Sequence, residues 1–165
     1  MTTTGTQRRT DAEGLRFIGP KRLTDNLQAV LVDLIELHLQ GKQAHWNVVG
    51  KNFRDLHLQL DEIVDGARTA SDTIAERIRA LQATPDGRSS TVAATTTLPS
   101  FPEGERSTTD VVELITDRIA ATVATLRGVH DDVDADDPSS ADLLHAIIDE
   151  LEKFAWMVSV ENQTK

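Results

Sequence analysis

Cysteine is absent from the chain. No disulfide framework, zinc–thiolate site or thiol nucleophile is therefore available. Aromatics are scarce, with two tryptophans, four phenylalanines and no tyrosine. Glycine and proline are sparse outside residues 84–104, which favours helices. No apolar run approaches the roughly 18 residues that a membrane-spanning helix needs. The first 20 residues are polar and lack the apolar centre of a secretory signal, so the cytoplasm is the expected location. Basic residues are in short supply: 17 Lys and Arg face 27 Asp and Glu, a formal net charge of −10. That balance disfavours non-specific binding to nucleic acid, which needs cations to displace counterions. It favours cationic partners. What remains is an ordinary globular composition of 165 residues, 39% hydrophobic and 27% charged. One domain with a sizeable core is expected.

Residues 1–20 read as a flexible tail, because MTTTGTQRRTDAEG has no hydrophobic periodicity. From Leu23 onward, Leu27, Val30, Leu31, Leu34 and Leu37 recur at helical spacing. The first long helix is placed at about 21–48, ended by Gly50. Asn52 is the expected cap of a second helix running to about Gln82. Residues 83–106 contain Pro85, Pro99 and Pro102 and form a long connection, with a helical turn or two expected at Thr91–Thr97. Thr108 or Thr109 then caps a third helix, carried by Val112, Ile115, Ile119, Val123 and Leu126. The acidic run HDDVDADDPSS is expected to interrupt it. Ser139 or Ser140 caps the fourth, whose apolar side includes Leu144, Ile148, Leu151, Phe154 and Val158. Four amphipathic helices with a long connection between the second and third predict an all-α four-helix bundle over residues 21–165. Its topology is either up-up-down-down or the ferritin-like variant.

The second helix carries His57 with Asp61 and Asp72 with Glu76, two pairs at i, i+4. All four residues share one face. The centres of the two pairs are roughly 22 Å apart along the helix, too far for one metal centre. A second copy of the helix, antiparallel across a two-fold axis, would set Asp72 and Glu76 of one chain opposite His57 and Asp61 of the other. Two identical sites would result. The small residues Gly66, Ala67 and Ala70 are expected to mark the close approach at that axis. His45, at the end of the first helix, supplies a further ligand. Two imidazoles with three carboxylates suit iron(II) or zinc. The Glu-x-x-His motifs of an intra-chain di-iron bundle are absent. Asp142-x-x-His145 is a single near match and reads as surface.

KQAHWNVVGKNFRDLH, residues 42–57, resembles the Dps (DNA-protection-during-starvation) mini-ferritins. The likeness rests on the His-Trp-Asn triplet, the Gly and Phe of the turn, and a second His twelve positions after the first. Asp61, Asp72, Glu76 and Arg77 follow at the matching offsets, and ELEKFAWM at 150–157 is similar to the family's last helix. The resemblance implies a ferritin-like hollow homododecamer built from two-fold dimers. It implies ferroxidase centres formed by His45, His57 and Asp61 of one subunit with Asp72 and Glu76 of the next. It also implies oxidation of iron(II), preferably by hydrogen peroxide, storage of ferric mineral and protection of DNA from oxidative damage. Zinc is a possible competitor at the same site. Trp46 resembles the family tryptophan that intercepts stray oxidant near the centre; the other reading is a partly buried packing residue.

Residues 130–142 contain six aspartates. In a shell of the family's symmetry this segment would lie near a three-fold axis and focus a cation-attracting field, with Asp142, Asp137 and Asp134 as the expected pore residues. DNA binding is expected to be weak or salt-sensitive, or else a nucleoid-compacting role comes first and iron oxidation second. The tail offers Arg8 and Arg9 against Asp11 and Glu13, with Arg16, Lys21 and Arg22 nearer the body and one C-terminal Lys. It lacks the Lys-rich pattern of DNA-binding members.

Overall fold

The computed structural model describes residues 17–163, so Arg8, Arg9, Arg16 and the C-terminal Lys lie outside the described residues. Four long helices dominate: α1 (Lys21–Asn47), α2 (Phe53–Ala80), α4 (Thr108–Asp136) and α5 (Pro138–Ser159). A short helix, α3 (Ser89–Thr95), sits in the connection between α2 and α4. The apolar stripes meet in one core. Leu23, Leu27, Leu34 and Leu37 of α1 face Leu60, Ile63 and Ile74 of α2 and Ile115 and Ile119 of α4, all fully buried. Each such side chain stabilises the fold by about 1.5–3 kcal/mol relative to exposure.

Short turns make α1–α2 and α4–α5 antiparallel pairs. The end of α1 is tied to the start of α4 by a two-residue parallel ladder, β1 (Val48–Val49) with β2 (Arg106–Ser107). Thus α4 begins where α1 ends and runs beside α2 in direction. This is the ferritin-like arrangement with a single long crossover, and it settles the choice left open by the sequence. Gly50 takes φ +126° in the α1–α2 turn, a left-handed backbone that favours glycine. Asn52 occupies the expected cap position, also left-handed, without a side-chain cap bond.

The crossover is held by polar side chains of the bundle. Buried Asp33 accepts hydrogen bonds from the Thr97 backbone N–H (2.8 Å) and from the hydroxyls of Thr96, Thr97 and Thr125. Buried Arg118 donates to Gln40 and to the Ser100 carbonyl. Gln28 makes a reciprocal pair with the Asp86 backbone, both bonds at 2.8 Å. A buried carboxylate or guanidinium is tolerable only with such partners.

Three boundaries differ from expectation. The cap of α4 is Ser107, whose hydroxyl accepts the Asp110 N–H. The acidic run does not interrupt the third long helix. Residues 130–136 continue α4, because Val129 and Val133 keep the apolar spacing and Arg22 binds Asp132 and Asp136. The break falls at Asp137, which caps α5 in place of Ser139 or Ser140, with Pro138 in the first turn, where it loses no helical bond.

Candidate metal centre

His45 closes the last turn of α1, and His57 lies in the second turn of α2. The short connection folds the two helix ends together, and the imidazoles stack with centroids 3.6 Å apart. Each ring bonds to the other's backbone. His45 Nδ1 lies 3.0 Å from the His57 carbonyl oxygen, and His57 Nδ1 lies 3.0 Å from the His45 carbonyl oxygen. A carbonyl oxygen only accepts, so both Nδ1 atoms carry the proton. Both Nε2 atoms are left as lone-pair donors, the tautomer that a metal-binding histidine needs. His45 is 7% exposed, and Phe53 packs beside the His57 ring at 5.0 Å.

Asp61 lies one turn beyond His57, with Oδ1 3.2 Å from His45 Nδ1. It has a partner that sequence spacing did not suggest. Lys42 Nζ bonds the same Oδ1 at 2.5 Å. That bond, ahead of a smaller opposing effect of burial, holds the Asp61 carboxyl below its usual range. Lys42 sits three residues before His45, one turn back on the same face. Only the distant pairing of α1 with α2 makes it a neighbour of Asp61.

Asp72 and Glu76 are exposed on the same face of α2, about three and four turns beyond Asp61. Among the described residues, no group of three or more His, Cys, Asp or Glu is close enough within one chain to hold a metal ion. The ligand face borders an open groove of about 770 Å³ lined by His38, Asp65, Arg68 and Asp72, with Leu31 and Ile35 of α1. Burial, with Arg68 adding to it, pushes the His38 imidazole below its ordinary value.

Gly66 and Ala67 do not mark this face. At about 100° per residue they point roughly 130° away from the Asp61–Asp72 direction. Ala67 is 0% exposed within the chain's own core. A Cβ on Gly66 would come within 2.8 Å of Phe154 Cε2, so the glycine makes room for α5. Ala70 is likewise buried in the chain's core. The small residues serve packing inside the subunit. The residues midway between the two ligand pairs on their own face are Asp65 and Arg68.

Trp46 follows His45 but points outward, 69% exposed, and does not pack in the chain's core. Of the three expected pore residues, Asp134 and Asp142 are exposed near the α4–α5 corner. Asp137 is committed elsewhere: its Oδ2 accepts from Arg77 and Ser140. Burial opposes its ionisation, but these two partners outweigh burial and hold its carboxyl below the usual range. Lys21 and Arg22 are also engaged, with Asp25 and with Asp132 and Asp136.

Residues 24–163 match the ferritin-like domain. The chain is 34% identical over 140 residues to the DNA protection during starvation protein of Agrobacterium fabrum, covering 84% of this chain and 86% of that one. The chain belongs to the Dps group of the ferritin-like family. Dps92 from Deinococcus radiodurans superposes with a TM-score of 0.84 at 32% identity, covering 88% of each chain. Dps from Microbacterium arborescens, a structure in the high iron form, superposes with a TM-score of 0.82 at 32% identity over 88% of this chain and 97% of that one. DNA protection during starvation protein 2 of Deinococcus radiodurans is 33% identical over 84% of this chain, which spans 57% of that relative's length. The Dps resemblance drawn from the residues around His45 and His57 therefore holds. No helix among the described residues is long and apolar enough to cross a membrane.

Proposed function

We propose that this Dps-group chain is the subunit of a homododecameric shell that oxidises iron(II) and stores the ferric product. The observation that carries the reading is the reciprocal His45–His57 pair, which leaves both Nε2 lone pairs free, with the Asp61 carboxylate against the same pair at His45 Nδ1. Asp72 and Glu76 of a neighbouring subunit complete each centre across a two-fold axis. The substrate is a pair of iron(II) ions. Each gives one electron to hydrogen peroxide, whose O–O bond breaks, and two protons complete two waters. Paired delivery releases no hydroxyl radical, and that is how such a shell protects DNA. The carboxylates stabilise the iron(III) product, and the imidazoles fix its position. Zinc competes for the same mixed nitrogen and oxygen donors. Trp46, exposed beside His45, intercepts oxidant that escapes the centre.

Asp134 and Asp142, with the remaining acidic side chains of the α4–α5 corner, draw cations toward an entrance near a three-fold axis. Asp137 is excluded from that set by its bonds to Arg77 and Ser140. DNA contact is secondary. The cations at the start of α1 are paired with aspartates, which leaves the tail to supply any weak, salt-sensitive affinity. The cytoplasm is the setting in which such a shell would work.

The test is subunit mixing. A His57→Ala chain and a Glu76→Ala chain are each expected to be inactive in iron oxidation with peroxide. Co-assembled, a mixed dimer collects both lesions in one centre and leaves the other whole, so activity returns in part. Confirmed co-assembly with no return of activity rejects the shared centre.

A further inference from the structure

A second pair of imidazoles lies toward the other end of the bundle. His130, on α4, and His145, on α5, are brought together by the tight α4–α5 corner. Their Nε2 atoms are 2.6 Å apart, and the ring centroids are 4.6 Å apart. His130 Nδ1 lies 3.1 Å from Asp131 Oδ1. That carboxylate can only accept at neutral pH, so Nδ1 carries the proton and Nε2 presents its lone pair toward His145. His145 Nδ1 faces Asp142 Oδ1 at 3.8 Å, a spacing that a small rotation of the exposed ring closes. With His130 Nδ1 bonded to Asp131 and His145 Nδ1 facing Asp142, the two Nε2 atoms converge on one point, where they share one proton or hold one metal cation.

We infer that His130 and His145 form a surface binding site for a divalent transition-metal ion, independent of the centre at His45 and His57. Two imidazole nitrogens select borderline ions such as zinc(II), copper(II) or nickel(II) over magnesium or calcium. Metal–nitrogen bonds of about 2.0–2.1 Å at a tetrahedral ion need the two nitrogens about 3.3 Å apart. The rings must therefore open by less than an ångström. His145 has the freedom to do so, because its side chain is 60% exposed against 24% for His130. Asp131 and Asp142 orient the rings from behind, the usual partnership of a metal-bound histidine with a carboxylate. Water fills the remaining positions. The nearby cation, Arg127, is paired with Glu152 and does not compete.

The experiment is calorimetric titration of zinc(II) alone into the full-length assembled protein. Carrying His57→Ala throughout weakens the other histidine site. The comparison is between that variant and the same variant with His145→Ala or His130→Gln added. Both added changes are on partly or well exposed side chains, and circular dichroism verifies the fold. The expected result is one zinc site per subunit that weakens at least tenfold with either change. Copper(II) at the same site should show coupling to two nitrogens in its electron paramagnetic resonance spectrum, and the coupling should go with either histidine. If the isotherms coincide, or no zinc binds before the change, the two rings share only a proton and the inference fails.

Discussion

Asp61 is the residue whose behaviour the structure most alters. Its spacing from His57 made it a ligand, yet in the isolated subunit Lys42 already bonds it. In the proposed centre, iron(II) has to displace that ammonium to reach the carboxylate. Lys42→Met should therefore raise the affinity for iron(II), by roughly two- to fivefold for an ion pair of this exposure. Anaerobic iron(II) titration checks it, and unchanged or weaker binding would show that Lys42 instead holds Asp61 in place for the metal. Asp137 makes a different prediction. Its folded-state carboxyl is lowered, so its contribution to stability is present above the ordinary carboxylate pKa of about 3.9 and is lost as pH falls through the folded value. Asp137→Asn should cost about 1.5–3 kcal/mol at pH 7, the range for a hydrogen bond to a charged partner. The variant should also lose less stability than the parent on acidification below pH 4. Chemical denaturation at several pH values decides between that outcome and a constant difference. The imidazoles at 45 and 57 could be read from spacing because one chemical type recurs at a helix junction. Lys42 could not, because a lysine one turn from a histidine on a helix is ordinary surface until the neighbouring helix is placed.

Among the elements, α2 shows why small residues mislead. Gly66 and Ala67 say that something approaches closely but not what. Their direction around the helix answers the question: they face α5 and the core, away from Asp61 and Asp72. Ala67→Leu should overpack the subunit itself and destabilise it by about 1–3 kcal/mol. The loss should appear in thermal unfolding of a dissociated subunit as well as in the assembly. A dissociated subunit of parental stability would return the contact to the interface. The helices themselves were legible from apolar periodicity, and their ends were found within a few residues. The exception was α4. A dense acidic run looked like a loop, but Arg22, more than a hundred residues away in the chain, neutralises part of its charge, and Pro138 supplies the real break. His130 and His145 were invisible as a pair for the same reason, since each is a lone histidine until α4 and α5 fold back on each other.

For the whole molecule, the ligand register makes a prediction about assembly. An antiparallel pairing that sets His57 opposite the partner subunit's Glu76 also sets Asp61 opposite the partner subunit's Asp72. One turn further in, it sets Asp65 opposite Arg68 of the partner subunit. Opposite charges then meet twice beside the two-fold axis, once on each side. Arg68→Asp should weaken the dimer, and adding Asp65→Arg should restore it, as read by native mass at subunit concentrations where the parent begins to dissociate. A double variant no better than the single one would place the axis elsewhere on α2. The crossover has a consequence of another kind. Residues 96–100 bond to Asp33 and Gln40 of α1 and to Thr125 and Arg118 of α4, so the strap has no docking site until those two helices stand side by side. Its ordering is thus a late event in folding and an early one to be undone. A protease that finds the strap open is reporting that the helices beneath it have already parted.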